Sequence, residues 1–401
     1  MRRANMARRS ARARGLLLAG LLAVAVGGCT GPILAQPPAS RGPGPSPTVA
    51  RPVPADPRPI VLPADDAAHD RLTEWWYYTG HLRDDVGARY GFEFVIFRAE
   101  RGGFPVSWAS HLAITDEAGH AFHFAQRSEI GPQVDRTTGA AAPPSGFDLQ
   151  MLPVAGQDGR SPAPTTSPAT AWVMRGSDGH DRLTAGVTPD EALVAGSPGG
   201  LGLDLTVTAS APATLHDEDG WVDFGPAGGS YYYSRTKMSA DGALTLGART
   251  FKVTGSAWFD HQWGDFISVG GGGWDWFAIN LADGTDLTLS LVRAADGSYP
   301  LVYGTIVDGR SRHLRAADFT VTPTGRWRSP RTGVSYPSGW LVELPQEGLR
   351  IELAPSVPDQ ELDARATTNV VYWEGSQVVT ATRHGQSIAG EAYVELTGYG
   401  P

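Results

Sequence analysis

The chain has 401 residues, a formal charge of −9, only 19% charged residues, and 50 glycines, 31 prolines and 12 tryptophans. That length holds two domains of common size or one large one, and the composition fits a loop-rich β protein better than a helical one. An acidic body without a basic stripe excludes nucleic acid as a partner, because such binding depends on neutralising phosphates.

The chain opens "MRRANMARRSARARGLLLAGLLAVAVGGC", with an Arg-rich start, an apolar stretch from Gly15 to Val26 and then small residues. This is the pattern of an export signal, and the apolar stretch falls short of the ~20 residues that a bilayer span needs. The only cysteine, Cys29, follows Gly27 and Gly28. That placement resembles a bacterial lipobox, in which the cysteine takes the lipid; the plainer reading is an ordinary signal peptide with an incidental Cys. Residues 1–29 are thus expected to be a lipoprotein signal, and the mature protein to be anchored to a membrane of the cell envelope on its periplasmic or outer-surface side. With no other thiol, the body has no disulfide and no Cys-based nucleophile or metal site. Residues 30–60 are a Pro-rich tether, extended at ~3.1 Å per residue and able to hold the body up to roughly 90 Å from the membrane.

From there the pattern is strand, turn, strand. Expected strands are 89–98, a hairpin over 110–127 turning at Asp116–Gly119, then 201–210, 229–238, 244–259, 285–293, 339–345, 349–355, 370–375 and 392–399. The Pro/Ser/Thr-rich stretch 151–170 reads as a surface insertion. Two stretches look alike: "WWYYTGHLRDDVGARYGFEFVIFR" from Trp75 and "WDWFAINLADGTDLTLSLVR" from Trp274. Trp75 aligns with Trp274, Tyr78 with Phe277 and Leu82 with Leu281; after a gap, Phe92–Arg98 align with Leu287–Arg293. Chance likeness between hairpins is the alternative. As a repeat, the likeness implies an all-β chain of two similar halves, 61–240 and 241–401, each closing into a barrel or sandwich with an interior for a ligand.

The chemistry concentrates around "SAWFDHQWGD" (256–265). Period 2 puts Ala257, Phe259, His261 and Trp263 on one face and Trp258, Asp260 and Gln262 on the other. The first face is apolar, so His261 is expected in an interior, either as a satisfied core histidine or as a functional group. Asp260 would reach the same space only through a bend near Gly264. In "GWDWFAINL" (273–281), Asp275 shares its face with Phe277, Ile279 and Leu281. A carboxyl in such surroundings is desolvated and tends to stay protonated. Beside the indoles of Trp274 and Trp276 it suits protonation of an alkene, since aromatic faces stabilise the carbocation; a surface aspartate is the alternative. Glu74, which heads "EWWYYTGHL" with Trp75 and Tyr77, and His111, Glu374 and Glu395 are weaker candidates. No metal-binding motif, nucleophile elbow, P-loop or dinucleotide fingerprint occurs, and no cofactor is called for.

The phrases "EWWYYTGHL", "SHLAITD", "YYYSRTKM", "SAWFDHQWGD", "GWDWFAINLADG", "WRSPRTGVSYP", "YWEG" and "YVELTGY" run in order from about residue 62 to the C-terminus. Together they resemble the AttH-like proteins, a family grouped with bacterial carotenoid 1,2-hydratases. The resemblance implies two tandem lipocalin-like β-barrel or β-sandwich domains and a hydrophobic-ligand site, and it implicates His261 and Trp263. Two functions are then expected. One is an acid catalyst adding water to an isolated C=C of an isoprenoid, with His261 and either Asp275 or Asp260 catalytic. Trp263, Trp274, Trp276, Trp258, Trp75, Tyr77, Glu74 and His111 would bind the ligand. The other is a non-catalytic envelope carrier or chaperone of a lipid-like molecule, working with a transporter. Polysaccharide binding on exposed Trp faces fits less well with a Trp set flanked by apolar strands.

Overall fold

Short alternating segments punctuated by Gly, Asp and Pro commit this chain to antiparallel strands. The computed structural model describes residues 56–137, 145–153, 171–266 and 271–400; Cys29, the expected export signal, nearly all of the expected tether and most of the Pro/Ser/Thr-rich stretch lie outside the described residues.

The first sheet takes β1 (Thr73–Asp84), β2 (Arg89–Ala99), β3 (Ser107–Asp116), β4 (Ala121–Ile130), β5 (Phe147–Met151), β6 (Trp172–Ser177), β7 (His180–Gly186), β8 (Leu201–Ala209), β9 (Thr214–Leu215), β10 (Trp221–Asp223), β11 (Gly229–Leu246) and β12 (Arg249–Gly264). Its order is β4-β3-β2-β1-β12-β11-β8-β7-β6-β5, with β9 and β10 on β11. Curling brings the two ends together, where Arg127 of β4 donates to the Met151 carbonyl of β5 at 3.2 Å.

The second sheet takes β13 (Gly271–Leu281), β14 (Asp286–Ala294), β15 (Leu301–Val307), β16 (Ser311–Arg315) and β17 (Thr320–Pro323). After the separate hairpin of β18 (Arg326–Arg328) and β19 (Ser335–Pro337) come β20 (Trp340–Leu344), β21 (Leu349–Pro355), β22 (Glu361–Asp363), β23 (Val371–Arg383), β24 (Gln386–Ile388) and β25 (Gly390–Leu396). Its order is β16-β15-β14-β13-β25-β23-β21-β20-β17, with β22 and β24 on β23. In both sheets the first strand pairs with the last, β1 with β12 and β13 with β25. The fold is therefore all-β, with two tandem barrel-like sheets.

Two details differ from the sequence reading. Residues 244–259 are not one strand, because the chain turns at Gly247 in the left-handed region (φ 59°) and returns as β12. The passage between sheets comes between Gly264 and Gly271 rather than near residue 240, which lies within β11. The repeat begins at its aromatic strand, and in the first half β11 and β12 close the sheet by returning to β1.

Each barrel is filled by its own side chains. Trp76, Tyr78, Phe94, Tyr233, Phe259 and Trp263 belong to the first core, and Phe277, Ile279, Trp340 and Trp373 to the second. The alternate residues of β1, β12 and β13 face outward and meet between the sheets. There Tyr77, Trp258, Trp276 and Tyr393 form a third cluster against Trp75, Phe97 and Trp274. Positions matched by the repeat touch: Trp75 stacks on Trp274 with ring centroids 6.4 Å apart, and Tyr77 meets Trp276 edge-on at 5.3 Å. Gly91 makes this approach possible, since a Cβ there would lie 2.8 Å from Ser376 Cβ of the opposite sheet.

Candidate active site

Among the described residues, two adjoining hollows lie between the barrels, whose interiors are packed with side chains. A cavity of about 90 Å³ is lined by Trp75 and Tyr77 of β1, Glu93 and Phe97 of β2, Tyr232 of β11, Asp260 of β12, Trp274 and Trp276 of β13, and Glu395 of β25, among others. Trp75, Phe97, Trp274 and Glu395 also wall a second hollow of about 130 Å³ that reaches His111 and Tyr372.

Three carboxyls line the first cavity, and Glu374 sits close behind them. Asp260 accepts from Tyr232 at 2.5 Å, from Trp258 Nε1 at 2.6 Å and from the Ser234 hydroxyl. Burial pushes its pKa up to about 6 against the pull of those donors. Glu395 accepts from Trp274 Nε1 at 2.8 Å, and burial raises it to about 7. Glu93 lies with Oε1 3.0 Å from the Tyr372 hydroxyl; burial raises it to about 8. Glu374 accepts from Tyr77 at 2.8 Å and is held well above the usual carboxylate range by burial and by its neighbours Glu395 and Glu93. Glu374 and Glu395 stand directly opposite in the β23–β25 ladder, where two like charges would repel. Oε2 of Glu93 and of Glu374 is buried with no hydrogen-bond partner among the described residues. The arrangement is a group of neutral or readily protonated acids against indole and phenol faces, one of which, Asp260, is the most disposed to carry charge at neutral pH.

The residues anticipated from sequence divide between three places. Trp75, Tyr77, Trp274, Trp276 and Asp260 line the first cavity; Trp258 lies beneath it, edge-on to Trp276 and donating to Asp260; His111 lines the second hollow. Asp275 instead points into the second barrel, where it pairs with Arg293 at 2.9 Å and accepts from Tyr399 at 2.8 Å. Burial raises its pKa and Arg293 opposes the rise. The acid at the cavity is thus Asp260 rather than Asp275. No bend was needed, because the open space lies on the outer face of β12.

His261 and Trp263 point the other way, into the first core. His261 is fully buried, lies 4.7 Å from the Trp76 ring and bonds Glu74 Oε1 through Nε2 at 2.9 Å. His69 Nδ1 approaches the same oxygen at 2.7 Å, and its ring stacks on Trp263 at 4.1 Å. Burial pushes Glu74 up, but His69 and His261 together bring it down to about 2; burial lowers His261. One donor atom each from His69, Glu74 and His261 lies within 4.8 Å of the others, a set chemically suited to a divalent cation; Glu74 Oε1 already bonds both imidazoles, while His261 Nδ1 is buried with no partner among the described residues. Sequence spacing did not show this trio.

Sequence reasoning passed over Glu93, Tyr232 and Tyr372. A signal existed for the first: Glu93 is the one acid in "YGFEFVIF", a strand buried on both faces. A lone carboxyl in such a run needs either a partner or a proton.

Comparison with protein families matches the AttH-like model over residues 53–399. Among solved structures, one described as an AttH from Nitrosomonas europaea is 28% identical, with a TM-score of 0.68 over 86% of this chain and 98% of that one. Kievitone hydratase from Nectria haematococca has a TM-score of 0.61 over 85% of this chain and 94% of that one; at 15% identity the likeness is one of fold. The comparison with curated proteins gives no match.

Proposed function

The chain belongs to the AttH-like family, and we propose that its inter-sheet cavity adds water to an isolated C=C of a hydrophobic, isoprenoid-like molecule. The observation that carries this reading is the meeting of Glu93, Asp260 and Glu395 in one cavity walled by Trp75, Tyr77, Trp274 and Trp276. Hydration needs an acid, a place for a cation and a base. Glu395, raised to about 7, suits the acid, since a general acid works best with a pKa near the operating pH. Its proton goes to one alkene carbon, and the π pair forms the new C–H bond. The cation left on the other carbon is stabilised by the indole faces. Water attacks it, and Asp260, with the lowest pKa of the three, takes the proton that water releases. The sum is alkene plus water to alcohol, with no redox change. Proton exchange then restores Glu395 and Asp260.

His261, Trp263 and Glu74 serve this site indirectly, by fixing β1 and β12 from inside the first barrel. Export and anchoring through Cys29 are part of the same reading and place the reaction at a membrane surface, where such substrates dissolve. The reading is tested by incubating the purified protein with a panel of isoprenoids bearing isolated alkenes in ¹⁸O-labelled water. Labelled tertiary alcohol that disappears in Glu395→Gln supports it, and a panel that is bound but never hydrated favours the carrier function instead.

A further inference from the structure

Behind Glu93 lies a line of hydrogen-bonding groups that crosses between the sheets: Glu93 Oε1, Tyr372 Oη at 3.0 Å, His111 Nδ1 at 2.6 Å from that hydroxyl, and Thr367 Oγ1 at 3.0 Å from His111 Nε2. The far end of this line has a fixed direction. Gln126 Nε2 donates to the Asp363 carbonyl at 2.9 Å, so Gln126 presents Oε1 to Thr367, whose hydroxyl donates to it at 2.7 Å. The other neighbour of that hydroxyl, the Ala364 carbonyl at 3.3 Å, is also an acceptor. With two carbonyl acceptors competing for its single proton, Thr367 is assigned as the acceptor at this contact and His111 as the donor through Nε2.

With Nε2–H so assigned and three protons shared among Glu93, Tyr372 and His111, two arrangements are open; with one proton fewer, Glu93 would be a buried anion facing no cation. In one, His111 is neutral: Nδ1 accepts from Tyr372, and the Tyr372 oxygen accepts from a protonated Glu93. In the other, one proton has moved along the line: His111 is an imidazolium that donates to Tyr372, and Tyr372 donates to a Glu93 carboxylate. Both hold the same number of protons, and both leave the trio uncharged as a whole. Burial selects the first, since it holds no separated charges: Glu93 and His111 are fully buried, and the rings of Phe97 and Phe124 stand edge-on to His111. The ionisable groups facing Glu93 act in the same direction. Tyr77 of β1, Tyr372 and Glu374 of β23, and Tyr393 and Glu395 of β25 offer no cation to hold a carboxylate. Arg98 lines the hollow beside His111, where a positive charge further opposes an imidazolium.

We propose that Glu93, Tyr372 and His111 form a relay that keeps one proton on Glu93 and so fixes the charge of the wall beside Glu395. Its consequence for catalysis rests on the hydration reading above: a neutral Glu93 leaves Glu395 free to titrate near the operating pH, whereas an ionised Glu93 would repel the Glu395 charge and push that acid higher. Tyr372 and His111 are positioning residues, acting only through Glu93. The relay also links the two hollows, because a proton leaving Glu93 has a path through Tyr372 to His111.

Infrared difference spectroscopy of the ligand-free full chain tests the relay without any substrate. A protonated-carboxyl C=O band that is present at neutral pH and lost in Glu93→Gln identifies the acid. In His111→Phe the Tyr372 hydroxyl loses its acceptor and turns to Glu93, so the band titrates away about one pH unit lower or more. In Tyr372→Phe no donor is left to stabilise the carboxylate, so the band persists to higher pH. Shifts of opposite sign support the relay; shifts of the same sign, or none, overturn it. ¹⁵N-histidine NMR of the wild type needs no variant: an Nε2–H tautomer at His111 is expected, and an Nδ1–H tautomer or an imidazolium at neutral pH overturns the assignment. Where hydration is measurable, the rate profile of His111→Phe extends to higher pH as Glu395 rises. Failure of the substrate panel with the infrared shifts intact would count against the hydration reading alone.

Discussion

His261→Ala separates a structural histidine from a catalytic one. The ring is fully buried among Trp76, Trp263 and Tyr233, at centroid distances of 4.7, 4.6 and 5.5 Å, and bonds Glu74 at 2.9 Å. Removing it leaves a void and deprives a fully buried carboxylate of one of its two imidazole partners. Losing a hydrogen bond to a charged group costs about 1.5–3 kcal/mol, and the void brings the loss to about 3–5 kcal/mol. At roughly 2 °C per kcal/mol for a protein of this size, the melting temperature should fall by about 6–10 °C. Thermal unfolding followed by circular dichroism measures the loss, and hydration rate per folded molecule at a temperature well below the transition measures the chemistry. A large loss of stability is expected, with the rate per folded molecule kept within a few-fold. An unchanged melting temperature with activity abolished would refute the assignment of His261 to the barrel core.

Other expectations follow from the same geometry. Asp275→Asn should destabilise, because Arg293 is left without its buried partner, while the pH–rate profile stays in place; a shifted profile would return Asp275 to the site. Trp274→Ala removes both a wall and the N–H that lowers Glu395, so kcat/KM should fall at least about tenfold and the Glu395 pKa should rise. Stability should decline towards alkaline pH. Glu93 is raised from its ordinary value to about 8, so its contribution is complete below the unfolded value near 4.5 and is lost as pH rises through 8, at up to ~1.4 kcal/mol per pH unit for one proton. Urea midpoints from pH 5 to 9 should show that decline, and Glu93→Gln should flatten it; an equal slope in the variant would contradict the assignment. Cys29→Ala should move the protein from the membrane to the soluble envelope fraction, and unaltered partitioning would discard the anchor.

How far the sequence could be read depends on what kind of information each residue carries. The all-β character and most strands follow from local alternation, which a strand expresses wherever it sits. The two faces of β12 were also legible, with His261 and Trp263 inside and Asp260 outside. What alternation cannot say is which face looks onto the open space. An apolar face suggested a lumen with a ligand in it, but large side chains such as Trp76, Phe259 and Trp263 fill that lumen. The cavity instead forms where outward faces of two barrels meet, so Asp260 gained importance and Asp275, turned towards Arg293, lost it. Glu374 and Glu395 looked weak as single residues beside aromatics. Their significance comes from strand register and from the opposite sheet, which brings Glu93 to them, and contacts between residues so far apart in sequence leave no short-range trace. The internal repeat came nearest to exposing the site, since its matched aromatics, Trp75 with Trp274 and Tyr77 with Trp276, are the ones that touch.

The central claim, that the working site lies between the barrels and not inside one, is tested most directly by a crystal structure with a bound isoprenoid alcohol. The ligand is expected against Trp75 and Trp274, with its hydroxyl within hydrogen-bonding distance of Asp260 or Glu395. A ligand lodged within the first barrel beside His261 and Trp263 would contradict it.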